Sequence, residues 1–239
     1  MMYFAHMEKT SLLDFPGRIC SLLYTIGCNF RCPFCYNRSL VLPEEYPPKN
    51  LWLDEDYVIS VLEERKRYIR ALAITGGEPL LHPEIIPFLR RVRERGFAIK
   101  IDTNGTFPDR LKEILDEGLV DYVAMDVKNS PKRYSETTGV DVDLSKVERS
   151  IKILKESGID HEFRTTLVPG LHTVEDLKEM VDWMGGCRKL ILQPYRNDMP
   201  LINPEFNKKV LLTDEEVSAF KRGVEETGLC DEVIVRSYY

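Results

Sequence analysis

"ALAITGGEPLLHPEIIPFLRRVRERGFAIKIDTNG", residues 71–105, carries the reading of the fold. "ALAIT" (71–75) is an apolar run of strand length, a helical pattern follows near 83–95, and "FAIKID" (97–102) is a second strand run. Two polar turns, Gly76-Gly77-Glu78-Pro79 and Asp102-Thr103-Asn104-Gly105, directly follow or finish those strands. A strand, a helix of ten or more residues and another strand make a βαβ unit, the building block of a parallel sheet.

The alternation extends in both directions. Strand runs occur at "ICSLLYTI" (19–26), "VDYVAMDV" (120–127), "HEFRTTLV" (161–168) and "KLILQPY" (189–195). Helical patterns lie near 54–70, 108–117, 143–157, 173–184 and 213–227. Asp54 precedes the first of these, and Thr213, three residues before Glu216, is a capping-box candidate. "EVIVRS" (232–237) is expected to add a strand at a sheet edge, and "LPEEYPPKN" (42–50) reads as a loop. With no repeat and no dividing linker, residues 1–239 form a single domain. Six or so βα units are too few for an eight-unit barrel. The expected class is therefore α/β, a partial (β/α)6 open TIM-like barrel, with its active site at the C-terminal strand ends.

Composition narrows the setting. The 239 residues are 43% hydrophobic and 30% charged, with a formal net charge of −6, which argues against general nucleic-acid binding. No apolar run approaches the roughly 20 residues that span a bilayer. The start, "MMYFAHMEKTSLLDF", lacks the basic segment and apolar core of a signal peptide. A cytoplasmic protein without membrane or nucleic-acid partners is expected. Six cysteines are too few for a disulfide scaffold, so metal binding or catalysis is the better use for them.

Three of the six crowd into "GCNFRCPFCYN" (27–37), as Cys28, Cys32 and Cys35. Three thiolates can hold three irons of a cubane cluster and leave the fourth open to an outside ligand. A zinc site would need a fourth protein ligand, and a redox pair of Cys32 and Cys35 would leave Cys28 unexplained. The remaining cysteines are scattered: Cys20 reads as a small core residue, and Cys187 and Cys230 as single thiols without neighbours of their kind. The four histidines, His6, His82, His161 and His172, show no catalytic spacing and read as structural or surface residues.

The pattern of Cys28, Cys32, Phe34 and Cys35 resembles that of the radical S-adenosylmethionine enzymes. The resemblance implies a 4Fe–4S cluster on the three cysteines, with S-adenosylmethionine on the open iron. The electron of the reduced cluster would cleave the sulfonium to a 5′-deoxyadenosyl radical. No catalytic residue is implied beyond the cluster and the cosubstrate. "TGGEP" (75–79) resembles the family's methionine-binding segment: Gly76 and Gly77 admit a ligand close to the backbone, and Glu78 offers an acceptor to an ammonium group. "DTNG" (102–105) and "MDVK" (125–128) resemble segments of the glycyl-radical-enzyme activases. That likeness assigns Asp126, Val127 and Lys128 to the cosubstrate, with the lysine suited to its carboxylate. It also makes Asp102 and Asp126 candidates for holding a monovalent cation.

"KTSLLDFPG", the cysteine loop, GGEP, DTNG, MDVK and "TTLVPG" together resemble the longer type of anaerobic ribonucleoside-triphosphate reductase activating protein. The resemblance implies that reductase as the glycyl-radical partner and an electron donor such as flavodoxin or ferredoxin. Two departures stand out. Tyr36-Asn37 replaces the His-Asn of many activases, leaving the backbone at Tyr36 to serve the adenine. Arg196 stands where the formate-lyase type has a histidine near the ribose. Arg164 sits on a strand, directed either into the site or toward a neighbouring acid. Two other readings are a radical S-adenosylmethionine enzyme acting on a small molecule and a non-catalytic metal-binding interaction module.

Overall fold

The computed structural model describes residues 1–236. Nine strands form one sheet: β1 (Tyr3–Ser11), β2 (Cys20–Thr25), β3 (Leu53–Asp54), β4 (Ala71–Gly76), β5 (Ala98–Thr103), β6 (Tyr122–Asp126), β7 (Asp160–Leu167), β8 (Cys187–Pro194) and β9 (Cys230–Val235). Their spatial order is β3-β1-β2-β4-β5-β6-β7-β8-β9. From β2 to β9 every pairing is parallel, and β1 lies antiparallel against both β2 and β3. The end strands β3 and β9 do not pair with each other, so the barrel stays open.

Among the described residues, eight α-helices accompany the strands: α1 (Arg38–Val41), α2 (Glu55–Arg65), α3 (Ile85–Glu94), α4 (Pro108–Asp116), α5 (Tyr134–Thr138), α6 (Leu144–Ser157), α7 (Val174–Trp183) and α8 (Asp214–Glu225). The strands β2, β4, β5, β6, β7 and β8, followed by α2, α3, α4, α6, α7 and α8, are the six expected βα units. Asp54 caps α2 by accepting from the Tyr57 N–H, and Thr213 with Glu216 forms the expected capping box of α8. A second box, Thr173 with Asp176, starts α7. The expected last strand appears as β9, although Ser237 lies outside the described residues. The sequence reading missed β1. Its buried positions, Phe4, Met7 and Ser11, do not alternate cleanly, because β-bulges interrupt its register with β2.

The sheet separates two kinds of side chain by the period-two rule. Leu72 and Ile74 of β4, Ile99 and Ile101 of β5, and Val123 and Met125 of β6 face the helices and form the main core. Burying each such side chain contributes about 1.5–3 kcal/mol. The opposite, concave face carries small residues at its base, including Ala71, Ala73 and Ala124. Phe15, from the "LLDFPG" loop, packs into the space they leave and closes that pole. Toward the other pole the concave face becomes polar, which is where the strand ends assemble a site.

Candidate functional site

The cysteine loop leaves β2 through Gly27, at φ +93°. Its shape is held by its own backbone and by neighbours. The Gly27 N–H donates to the Leu40 carbonyl (2.7 Å), Arg31 N–H to Thr138 (2.8 Å), and Cys35 N–H to Cys32 (3.0 Å). From the far side, the N–H groups of Ile202 and Asn203 donate to the carbonyls of Cys35 and Pro33. The Asn29 side chain ties the loop to the turn after β5, donating to Thr106 Oγ1 (2.9 Å) and accepting from Asn104 Nδ2 (2.8 Å). Phe30 is buried edge-on against Tyr134.

Cys28, Cys32 and Cys35 border one cavity of about 250 Å³, together with Phe34, Tyr36, Gly76, Gly77 and Glu78. Asp102, Asp126, Lys128, Arg164 and Arg196 carry the charged part of the lining together with Asp14. Four motifs spread between residues 27 and 128 thus meet at the strand ends. Phe34 is largely buried, whereas Tyr36 and Arg196 lie at the exposed rim, where Arg196 pairs with Asp198. Burial raises all three cysteine thiols, Cys28 and Cys32 to about 12, while the ammonium of Lys128 pulls in the opposite direction. Among the described residues, no three His, Cys, Asp or Glu side chains converge on a single ion. Three cysteine thiols bordering one cavity are able to take three separate irons of a cubane.

The glycines of GGEP answer first to the protein itself. A Cβ on Gly77 would lie 1.9 Å from the Gly27 carbonyl oxygen, and one on Gly76 2.5 Å from the Thr25 nitrogen. The close backbone approach read from sequence is therefore that of the cysteine loop, whose Gly27 carbonyl accepts from the Glu78 N–H (2.8 Å). Gly77→Ala is expected to force the two loops apart at a cost of about 1–3 kcal/mol, read from the urea midpoint.

Glu78 is also engaged within the protein. Its carboxylate accepts from Leu80 N–H (3.1 Å), Thr103 Oγ1 (2.7 Å) and Asn104 N–H (2.7 Å), locking the turn after β4 to the turn after β5. It is almost fully buried, and burial lifts its pKa to about 7 against the pull of those three donors.

Along the concave face, Lys100, Asp102, Arg164, Asp126 and Lys128 form a continuous ion-pair ladder. Arg164 Nη1 lies 3.1 Å from Asp102 Oδ2, and its Nε lies 2.7 Å from Asp126 Oδ1. Lys100 pairs with Asp102, and Lys128 Nζ lies 2.9 Å from Asp126. Arg164 therefore points both into the site and at two acids. Burial opposes the charged form of each aspartate, but Arg164 and the neighbouring lysine outweigh it and hold both below the usual carboxylate range. Burial likewise opposes charge on Lys128, and Asp126 overcomes it and keeps the ammonium protonated. A monovalent cation placed between Asp102 and Asp126 would meet a guanidinium. Three protein cations already balance the two carboxylates, and that sequence expectation finds no open acid pair.

Opposite pH dependences follow. The depressed aspartates contribute stability that is fully present above their unfolded pKa of about 3.9 and lost as the pH falls through their lower folded values. Glu78, raised in the fold, does the reverse: stability rises as the pH drops from about 7 toward 4.3. Urea midpoints across this range should pass through a maximum at about pH 4–4.5, and Glu78→Gln should flatten only the neutral side.

Val127 is a correction. Its side chain is fully buried on the helix-facing side, its N–H donates to the Arg164 carbonyl, and its carbonyl accepts from Thr165 Oγ1. With Asp126 and Lys128 facing the cavity, strand alternation turns Val127 away from it. The pair Cys187 and Cys230 is another. They are not isolated, because β8 and β9 set them side by side. The histidines are structural as read: buried His172 accepts from Val168 N–H and contacts the Lys128 carbonyl, and His82 contacts the Ile26 carbonyl.

Sequence reading missed Thr166, Gln193 and Asn37, all of which line the cavity, and Lys100 beneath it. For Lys100 and Thr166 the signal was available. In "FAIKID" and "HEFRTTLV" the polar residues recur every second position, marking the concave face.

The sequence profile of the radical SAM superfamily matches residues 22–184, from the first parallel strand through α7. A Methanocaldococcus jannaschii protein bearing the provisional name of a glycyl-radical enzyme activating enzyme is 28% identical over 234 residues, covering 95% of this chain and 92% of its own. A Thermococcus kodakarensis 7-carboxy-7-deazaguanine synthase is 27% identical over 185 residues, 70% of this chain and 71% of that protein. In three dimensions the fold resembles that of QueE from Escherichia coli, with a TM-score of 0.59 at 16% identity over 99% of this chain and 94% of that one. With its cysteine loop, its strand-end cavity and more than half its length matched, this chain belongs to the radical SAM superfamily.

Proposed function

We propose that this chain is a glycyl-radical-enzyme activase whose partner is an anaerobic ribonucleoside-triphosphate reductase. The observation that carries the reading is the one cavity joining the cysteine loop, GGEP, Asp126 and Lys128, with exposed Tyr36 and Arg196 at its rim. Cys28, Cys32 and Cys35 would hold the cluster, and Lys128, kept charged by Asp126, would take the carboxylate of S-adenosylmethionine. Phe34, Gly76, Gly77 and Asn37 would enclose the methionine part, and Tyr36 and Arg196 would meet the adenosine. When bound, the reduced cluster supplies the electron that generates the 5′-deoxyadenosyl radical. The protein's part is ligation, orientation and exclusion of water.

A protein substrate suits the open edge, because a glycine-bearing loop must reach the cluster face. The near full-length similarity to the named M. jannaschii activating enzyme supports this class, and the "KTSLLDFPG" and "TTLVPG" segments support the reductase as partner. A cytoplasmic flavodoxin or ferredoxin would deliver the electron. No described helix is long and apolar enough to cross a membrane.

The similarity to a 7-carboxy-7-deazaguanine synthase favours a second reading, in which the same cavity takes a small heterocycle. One anaerobic experiment separates them. The protein is reconstituted with iron and sulfide, reduced and given S-adenosylmethionine, with and without the reductase. Methionine, 5′-deoxyadenosine and a glycyl radical by electron paramagnetic resonance are the expected products. Cleavage without a radical on the partner would shift the reading to the small-molecule class. A verified reduced cluster that cleaves nothing would overturn both.

A further inference from the structure

Two thiols meet at the pole of the barrel opposite the cysteine loop. Cys187 and Cys230 are the first paired residues of β8 and β9, and their sulfurs lie 3.1 Å apart. The backbone builds this contact. Cys187 N–H donates to the Leu229 carbonyl (3.0 Å), and Gly186, at φ +73°, lets the turn approach so closely that a Cβ would lie 2.3 Å from that oxygen. Lys155 clamps the same turn, donating to the carbonyls of Met184, Gly185 and Gly186 at 3.0, 2.7 and 3.1 Å. Adjacent strands run about 4.8 Å apart, inside the 4.4–6.8 Å Cα separation that a disulfide spans.

We propose that Cys187 and Cys230 are a redox-active dithiol that closes to a cross-strand disulfide by exchange with an external disulfide. The two thiols are unequal. A hydrogen bond in which either sulfur can donate joins them, and with burial it raises the pKa of Cys187. Cys230 is also the more exposed of the two. Its thiolate attacks one sulfur of the incoming disulfide, whose S–S bond breaks and releases one thiolate. Cys187 then gives up its proton to solvent and attacks Cys230 Sγ, expelling the second thiolate. Two protein thiols are oxidised by two electrons, and one external disulfide is reduced to two thiols.

Closure would join the edge strand β9 covalently to β8. That strand leads into Arg236, whose guanidinium is bidentate on the buried Glu162 at 2.8 and 2.9 Å, with Tyr122 donating to the same carboxylate (2.9 Å). The dithiol is one full length of β8, about 25 Å, from the cavity end of the sheet, so it can change state without disturbing the cluster loop.

The test uses the reconstituted holoprotein, held anaerobically across a series of oxidised-to-reduced glutathione ratios, with cluster absorbance followed throughout. After alkylation and trypsin, the peptides 179–188 and 223–236 are expected as one linked species, lighter by two hydrogens than their sum, with cluster absorbance unchanged. Oxidation should also raise the urea midpoint of the wild type and leave that of Cys230→Ser where it was. Recovery of both thiols alkylated at every ratio would overturn the proposal, as would a lasting glutathione adduct on Cys230. Both outcomes are read in the unaltered chain and do not depend on how the variant folds.

Discussion

Cys32→Ser should abolish reductive cleavage of S-adenosylmethionine, by about a thousandfold or more in 5′-deoxyadenosine formed, the scale of removing an indispensable group. Cys32 is the most enclosed of the three loop cysteines, and burial lifts its thiol to about 12. The buried loop therefore holds neutral thiols until iron displaces their protons, as thiolate ligation requires. Lys128 lowers the cost by placing a protonated ammonium beside all three sulfurs. A serine hydroxyl is a far poorer iron ligand and would leave two thiolates where the proposed cluster takes three. Iron content should fall along with activity, while the far-ultraviolet circular dichroism remains that of the wild type. Full iron occupancy with undiminished cleavage in Cys32→Ser would remove Cys32 from the ligand set.

Arg164→Met should destabilise the fold by about 2–3 kcal/mol, somewhat below the 3–5 kcal/mol typical when one partner of a fully buried pair is removed. The reduction allows for solvent, because the Asp102 and Asp126 side chains keep 15% and 27% of their exposure. Methionine retains much of the arginine's bulk but leaves two carboxylates facing each other across the concave face. The neighbouring Lys100 and Lys128 still neutralise one acid each, so the loss comes from the central bridge. Urea denaturation near neutral pH measures it. Asp102→Asn added to Arg164→Met should deepen the loss, because it takes the carboxylate from the buried Lys100 ammonium, an increment that lost packing alone would not produce. A loss under about 0.5 kcal/mol in the single variant would show that the ladder tolerates the gap.

The two predictions differ in how far the sequence alone foresaw them. The cysteine loop was legible because its three cysteines lie within eight residues, where spacing is itself geometry. The βα units were legible for a related reason. Apolar periodicity, glycine turns and caps such as Asp54 and Thr213 are local signals, each complete within one turn or strand. Beyond that range, sequence reading failed in an ordered way. β1 was lost because its bulges break the alternation that announces a strand. Val127 was placed in the cavity because the motif names three consecutive residues, whereas a strand can present only the first and third to one face.

The remaining corrections are matters of register. Arg164 meets Asp126 because the two are paired across β6 and β7, and it meets Asp102 because β5 lies one strand further along on the same face. Cys187 meets Cys230, and Gly77 meets Gly27, through strand neighbours separated by 43 and 50 residues of chain. From its sequence this protein declares its helices, its parallel strands, its cysteine loop and the pole where its site must lie. Only the tertiary structure decides which acids are already neutralised, which glycines are needed by the backbone and which thiols are neighbours. A one-residue slip between strands preserves every local preference yet moves each side chain to the opposite face, so those contacts belong to the packed sheet alone.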